Sequence, residues 1–134
     1  MSKLKIPVEE FTTPDPVALP EEASVDELVQ AMKSAGIRHV PIVNNGKAVG
    51  VVSDRDVRVV LGLDFQKKNL VQARDIMARD PVTFSSDTPL EEVALEMSRQ
   101  KIGSVIVTEE GRLLGIFTVT DALNALIEIS RDEI

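Results

Sequence analysis

The chain repeats itself at an offset of 65 residues, and each copy closes on the same short pattern. The first closing segment is Gly50-Val51-Val52-Ser53-Asp54-Arg55-Asp56; the second is Gly115-Ile116-Phe117-Thr118-Val119-Thr120-Asp121. Each runs glycine, two apolar residues, a hydroxyl, two variable residues, then aspartate. Residues 8–62 lie over 73–127 without a gap and agree at 11 of 55 positions, among them Asp15/Asp80, Pro16/Pro81 and Gly50/Gly115. Most other pairs keep their apolar or polar character. Such a repeat constrains architecture before any local pattern does, because similar units must fold alike and any site is expected twice. About 55 residues is a marginal size for independent burial, so the pair of repeats is the expected folding domain.

Local patterns give each repeat the order β-α-β-β-α. Val17-Ala18-Leu19, entered through Pro14-Asp15-Pro16, predicts a short edge strand. Val25, Leu28, Val29 and Met32 fall at helical spacing, as do Leu90, Val93, Ala94 and Met97. Ser24-Val25-Asp26-Glu27 and Thr88-Pro89-Leu90-Glu91 supply capping boxes, with Pro89 expected at the first helical position and Gly36 at the end of the first helix. Met32 and Met97 fall on the apolar faces and read as core filler. Two strands around Asn44-Asn45-Gly46-Lys47 predict a hairpin, repeated around Glu109-Glu110-Gly111-Arg112. Pro41 cannot donate to a ladder, which places its strand at an edge or in an irregular pairing. A second helix follows each motif, with apolar Val57, Val60 and Leu61 in one copy and Ala122, Ala125, Leu126 and Ile129 in the other. Residues 63–72 connect the copies, with an exposed bend expected at Lys67-Lys68-Asn69.

The closing motif puts a strand end against a helix start. Unpaired amides and the positive end of the helix dipole gather there, which suits a phosphate. A carboxylate three residues in, Asp56 or Asp121, can accept hydrogen bonds from the two vicinal hydroxyls of a ribose. Gly50 and Gly115 have no side chain, which lets the chain approach closely. The same residues also fit a capping box that needs no ligand. Both readings stand at this level.

Taken together, the chain from Val8 to Ile129 resembles a stand-alone tandem pair of cystathionine-β-synthase (CBS) domains, a Bateman module. The resemblance rests on Phe11-Thr12-Thr13-Pro14-Asp15-Pro16-Val17 and Asp75-Ile76-Met77-Ala78-Arg79-Asp80-Pro81-Val82, on Ile37-Arg38-His39-Val40-Pro41-Ile42-Val43, and on the two closing motifs. It implies an α/β fold of two β-α-β-β-α repeats about a pseudo-two-fold axis: first repeat 8–62, connector 63–72, second repeat 73–129. It implies clefts between the copies that take AMP, ADP, ATP or S-adenosylmethionine as a regulatory ligand, with no catalytic cofactor. Ser53, Arg55, Asp56, Thr118, Thr120 and Asp121 would then meet ribose or phosphate, and Arg38, His39 and Lys101 are phosphate candidates. Thr13, Pro14, Val17, Val40, Pro41, Met77, Ala78, Val82, Val105 and Ile106 are adenine-cleft candidates. The copies differ where charge matters: Arg38, His39 and Arg55 correspond to Gly103, Ser104 and Thr120. One cleft is therefore expected to hold a phosphorylated adenosine, and the other, less basic, to stay empty or take a less charged ligand. The resemblance also implies a disk-like homodimer, expected through Val57/Val60 and Ala122/Ala125/Ile129, and a regulated partner protein.

Composition excludes other classes. A single histidine, no cysteine and no dense carboxylate set leave little for acid–base or metal catalysis, so the chain is not expected to be an enzyme. Asp54, Asp56 and Arg58 read as a surface ion network rather than a metal site. The net charge of −7 argues against binding nucleic acid. The absence of a long apolar run or secretory stretch fits a cytoplasmic protein away from the membrane. The rival reading is a ligand-free interaction module whose motifs are only helix caps.

Overall fold

The computed structural model describes residues 5–63 and 65–131, with the backbone alone at residues 65 and 66. Asp64 of the connector lies outside the described residues. A 3-10 turn at Val8–Phe11 precedes β1 (Thr13–Pro14), β2 (Leu19–Pro20), α1 (Val25–Ala35), β3 (His39–Asn44), β4 (Lys47–Ser53) and α2 (Asp54–Leu61). The connector carries α3 (Phe65–Asn69), and α4 (Ala73–Ile76) opens the second repeat. Then follow β5 (Ala78–Arg79), β6 (Thr83–Ser85), α5 (Leu90–Gln100), β7 (Ser104–Glu109), β8 (Arg112–Thr118) and α6 (Val119–Ser130). The expected β-α-β-β-α order holds in each copy. Lys67-Lys68-Asn69 forms a helical turn rather than a bend.

The strands make two four-stranded sheets, ordered β2-β3-β4-β5 and β1-β8-β7-β6. Alternation along β3 and β4 sends Val40, Ile42 and Val52 into one core with Leu28 and Met32 of α1 and Val57 and Val60 of α2. The matching core gathers Val105, Val107 and Phe117 with Leu90, Val93 and Met97 of α5 and Ala125 of α6. Val57, Val60 and Ala125 are thus spent inside, and Ala122 and Ile129 pack partly against the second core. The expected dimer face is corrected accordingly. On α6 the exposed apolar residues are Val119, Leu123, Leu126 and Ile127, one stripe at helical spacing.

The sheets also show where each repeat's opening goes. β1, from the start of the first repeat, pairs antiparallel with β8 of the second (Thr13 opposite Ile116, Pro14 opposite Gly115). β5, from the start of the second repeat, pairs with β4 of the first (Gly50 opposite Arg79, Val51 opposite Ala78). Upstream, the Val8 amide donates to the Thr88 carbonyl at 2.8 Å, and its counterpart Ala73 donates to Ala23 at 2.8 Å. Compact units therefore do not coincide with sequence repeats. Pro16–Pro81 form one unit; the described residues up to Asp15, with those from Val82 onward, form the other.

For Pro41 the irregular pairing is found and not the edge, while the expectation for Pro89 changes. β3 is an interior strand, between β2 and β4, with a register shift just beyond Pro41, at Ile42/Val43, that the second copy repeats at Val107/Thr108 without a proline. In the second copy the Ile106 amide donates to the Val82 carbonyl at 2.9 Å. Pro41, in the corresponding place, has no N–H to offer Val17, so β2 is one residue shorter than β6. Pro89 has extended backbone (φ −58°, ψ 138°) just before α5 rather than inside it. The Thr88 hydroxyl lies 3.2 Å from that of Ser85 instead of capping. The Leu90 amide donates to the Ile6 carbonyl at 2.9 Å, so the chain preceding the first repeat does the capping. Ser24 and Glu27 form the predicted box on α1.

Candidate functional site

Both closing motifs fold as reciprocal caps. Asp56 Oδ2 accepts from the Ser53 amide and from Ser53 Oγ, each at 2.9 Å, while the Asp56 amide donates to Ser53 Oγ at 3.3 Å. Asp121 Oδ2 accepts from the Thr118 amide at 2.8 Å and from Oγ1 at 3.1 Å, and the Asp121 amide donates to Thr118 Oγ1 at 3.3 Å. Each carboxylate is fixed through one oxygen. Oδ1 of both aspartates is left without a hydrogen bond among the described residues. That arrangement meets the capping reading in full and still leaves an oriented acceptor.

The helix starts are less open to an anion than the sequence suggests. The Asp54 amide donates to the Arg38 carbonyl at 2.9 Å, and the Val119 amide to Gly103 at 3.1 Å. With the Asp56 and Asp121 amides also engaged, the amides of Arg55 and Thr120 are the ones left over in each first turn. The Arg38 carbonyl bond also brings Arg38 and His39 to the first motif, where His39 lies opposite Ser53. Arg38 and Arg55 are exposed and His39 is half-buried. Burial pushes the His39 ring below its ordinary value of 6.5, Asp54 and Asp56 pull it back up, and Arg38 adds a smaller downward push.

Asp54 is a charge the candidate set omitted. It offsets the basic character of the first motif, and Arg58 one turn on ties it down at 3.3 Å. The second motif has Val119 in its place. Lys101 shares with Gly103, Val119 and Ala122 the lining of an open cavity of ≈ 450 Å³ between α5 and α6. No cluster of three or more metal-ligating side chains occurs among the described residues.

The adenine-cleft candidates separate by face. Val40 and Val105 are completely buried in their cores, so a ligand could meet only their main chain. Pro41 and Ile106 point to the opposite face of their sheets and are buried outside either core cluster. Met77 packs in the first core. Val82 is half-buried against the second, Val17 is exposed, and Thr13, Pro14 and Ala78 sit exposed on β1 and β5.

The glycines of the motif serve these crossing strands. A Cβ on Gly50 would collide with Met77 Sδ and lie 2.7 Å from its Cγ; one on Gly115 would collide with the Thr13 carbonyl oxygen and lie 2.6 Å from Thr12 Cγ2. Sequence reasoning did not find these strands, because pairing between Gly50 and Arg79 or between Pro14 and Gly115 leaves no local trace.

Comparison with known proteins agrees with this fold. The pattern that defines the CBS domain matches residues 8–62 and 73–128, and the chain belongs to the CBS domain family as a tandem pair. Over 122 residues it is 32% identical to an inosine-5′-monophosphate dehydrogenase of Korarchaeum cryptofilum, covering 90% of this chain but 24% of that enzyme. The CBS domain pair of MJ0100, solved with 5′-methylthioadenosine and S-adenosyl-L-methionine, superposes with a TM-score of 0.79 at 29% identity, covering 90% of this chain and 94% of that one. CBSX2 in complex with AMP gives 0.81 at 25%, covering 93% and 98%.

Proposed function

We propose that this chain is a non-catalytic regulatory module that binds an adenosine nucleotide at the closing motifs and passes its occupancy to a partner protein. The observation that carries the reading is the doubled Ser/Thr-x-x-Asp box. Each aspartate is held rigidly through Oδ2, with Oδ1 left to accept from a ribose hydroxyl. The adenosine compounds in the MJ0100 and CBSX2 structures support the ligand class. Arg38, Arg55 and His39 favour a phosphorylated ligand at the first motif, where Arg can make paired bonds to phosphate. Signalling then needs only that the nucleotide bind one arrangement of the protein better than another, since populations shift by that difference.

Thermal unfolding with AMP, ATP or S-adenosylmethionine tests this. Wild type gains about 2.7 kcal/mol at a ligand concentration a hundred times its Kd. Asp56→Ala and Asp121→Ala lose that gain as well as about 1 kcal/mol of intrinsic stability from the broken cap. If no nucleotide stabilises wild type and the variants show the cap loss alone, the motifs are caps only. The second reading, an interaction module, draws on the exposed stripe of Val119, Leu123, Leu126 and Ile127, which suits pairing with another chain.

A further inference from the structure

His39 is the chain's only histidine, and it opens β3 directly opposite the Ser53 cap. Its ring is half-buried, and neither nitrogen makes a hydrogen bond among the described residues. The charged groups that face it are Asp54 and Asp56 from the start of α2 and Arg38 beside it, while β4 presents the uncharged Ser53. At neutral pH burial keeps the proton off, yet two carboxylates already favour taking one on. A phosphate brought to this motif adds negative charge to the same side of the balance. The second motif has Ser104 in the corresponding place and nothing that titrates near neutrality.

We propose that His39 takes up a proton from solvent when a phosphate-bearing nucleotide binds the first motif, so that this motif senses phosphate and pH together while the second senses neither through a proton. The proposal rests on the nucleotide-binding reading above. The imidazolium would donate to a phosphate oxygen as Arg38 and Arg55 draw in the rest of the charge. An unphosphorylated adenosine would leave the ring neutral.

The lone imidazole can be followed by NMR from pH 5 to pH 9 in the whole protein, free and with AMP or adenosine, beside calorimetry of both ligands. AMP is expected to raise the ring's titration midpoint by about one unit, equivalent to about a tenfold gain in AMP affinity on the acid side. Adenosine should leave the midpoint where it was. The ligand phosphate itself titrates near pH 6 and works in the opposite direction, so the gain is read as the difference between wild type and His39→Gln. The NMR arm needs wild type alone and stands even if the variant folds poorly. Heat of AMP binding with an unmoved imidazole would overturn the proton coupling and leave the nucleotide reading intact. No heat from AMP or adenosine at any pH would overturn both.

Discussion

Gly36 and Lys101 close the same turn in the two copies, with left-handed φ of 64° and 57°. Glycine adopts that conformation freely, whereas a side chain there costs about 1 kcal/mol or more. Lys101→Gly should therefore raise stability by about 1 kcal/mol in urea unfolding, and Gly36→Ala should lower it by a similar amount. The glycine announces its helix end in the sequence and the lysine does not, although the same backbone bond, Ile37 to Met32 at 3.0 Å and Ile102 to Met97 at 3.1 Å, closes both turns. Asp15 and Asp80 also take positive φ, 47° and 51°, and each precedes a proline where the chain passes from one compact unit to the other. Aspartate tolerates this region better than most residues, which gives a physical reason for the Asp-Pro identity in both repeats.

Among the elements, β1 and β5 are each two residues long, yet they account for the glycine of the closing motif. The close packing at Gly115 is against backbone, the Thr13 carbonyl, and at Gly50 chiefly against the flexible Met77 side chain. Gly115→Ala should cost roughly 1–3 kcal/mol in urea unfolding, with Gly50→Ala toward the lower end because Met77 can give way. Equal and negligible effects would remove the crossing strands as the reason for these glycines. Helices α1, α2, α5 and α6, the hairpins and the Ser53 and Thr118 caps were all legible, since each rests on spacing within a few residues. Pro41 was legible as a disturbance but not as an interior one. Its strand is kept in the sheet by burial of Val40 and Ile42, and the cost appears as a shortened β2, since the register shift beyond it recurs at Val107/Thr108 without a proline.

Across the molecule, each compact unit is completed by the opening of the other repeat: Val8 is buried in the core of the second repeat, and Ala73 and Met77 in that of the first. Self-similarity reveals that there are two copies, but it cannot say which copy a segment joins. The reciprocal exchange had to come from the sheets. The charge differences at Arg38/Gly103, His39/Ser104 and Arg55/Thr120 were readable directly, and Asp54 with Arg58 tempers them. The remaining asymmetry is apolar: Val119 and Leu123 of the exposed α6 stripe stand where α2 carries Asp54 and Arg58. At this scale the central claim is that the doubled aspartates do more than cap their helices. Calorimetric titration of AMP against 2′,3′-dideoxy-AMP isolates it, because only the ribose diol differs. Loss of hydrogen bonds to a charged acceptor is worth about 1.5–3 kcal/mol, so the dideoxy compound should bind at least about tenfold more weakly. Equal affinity for the two compounds would contradict the account.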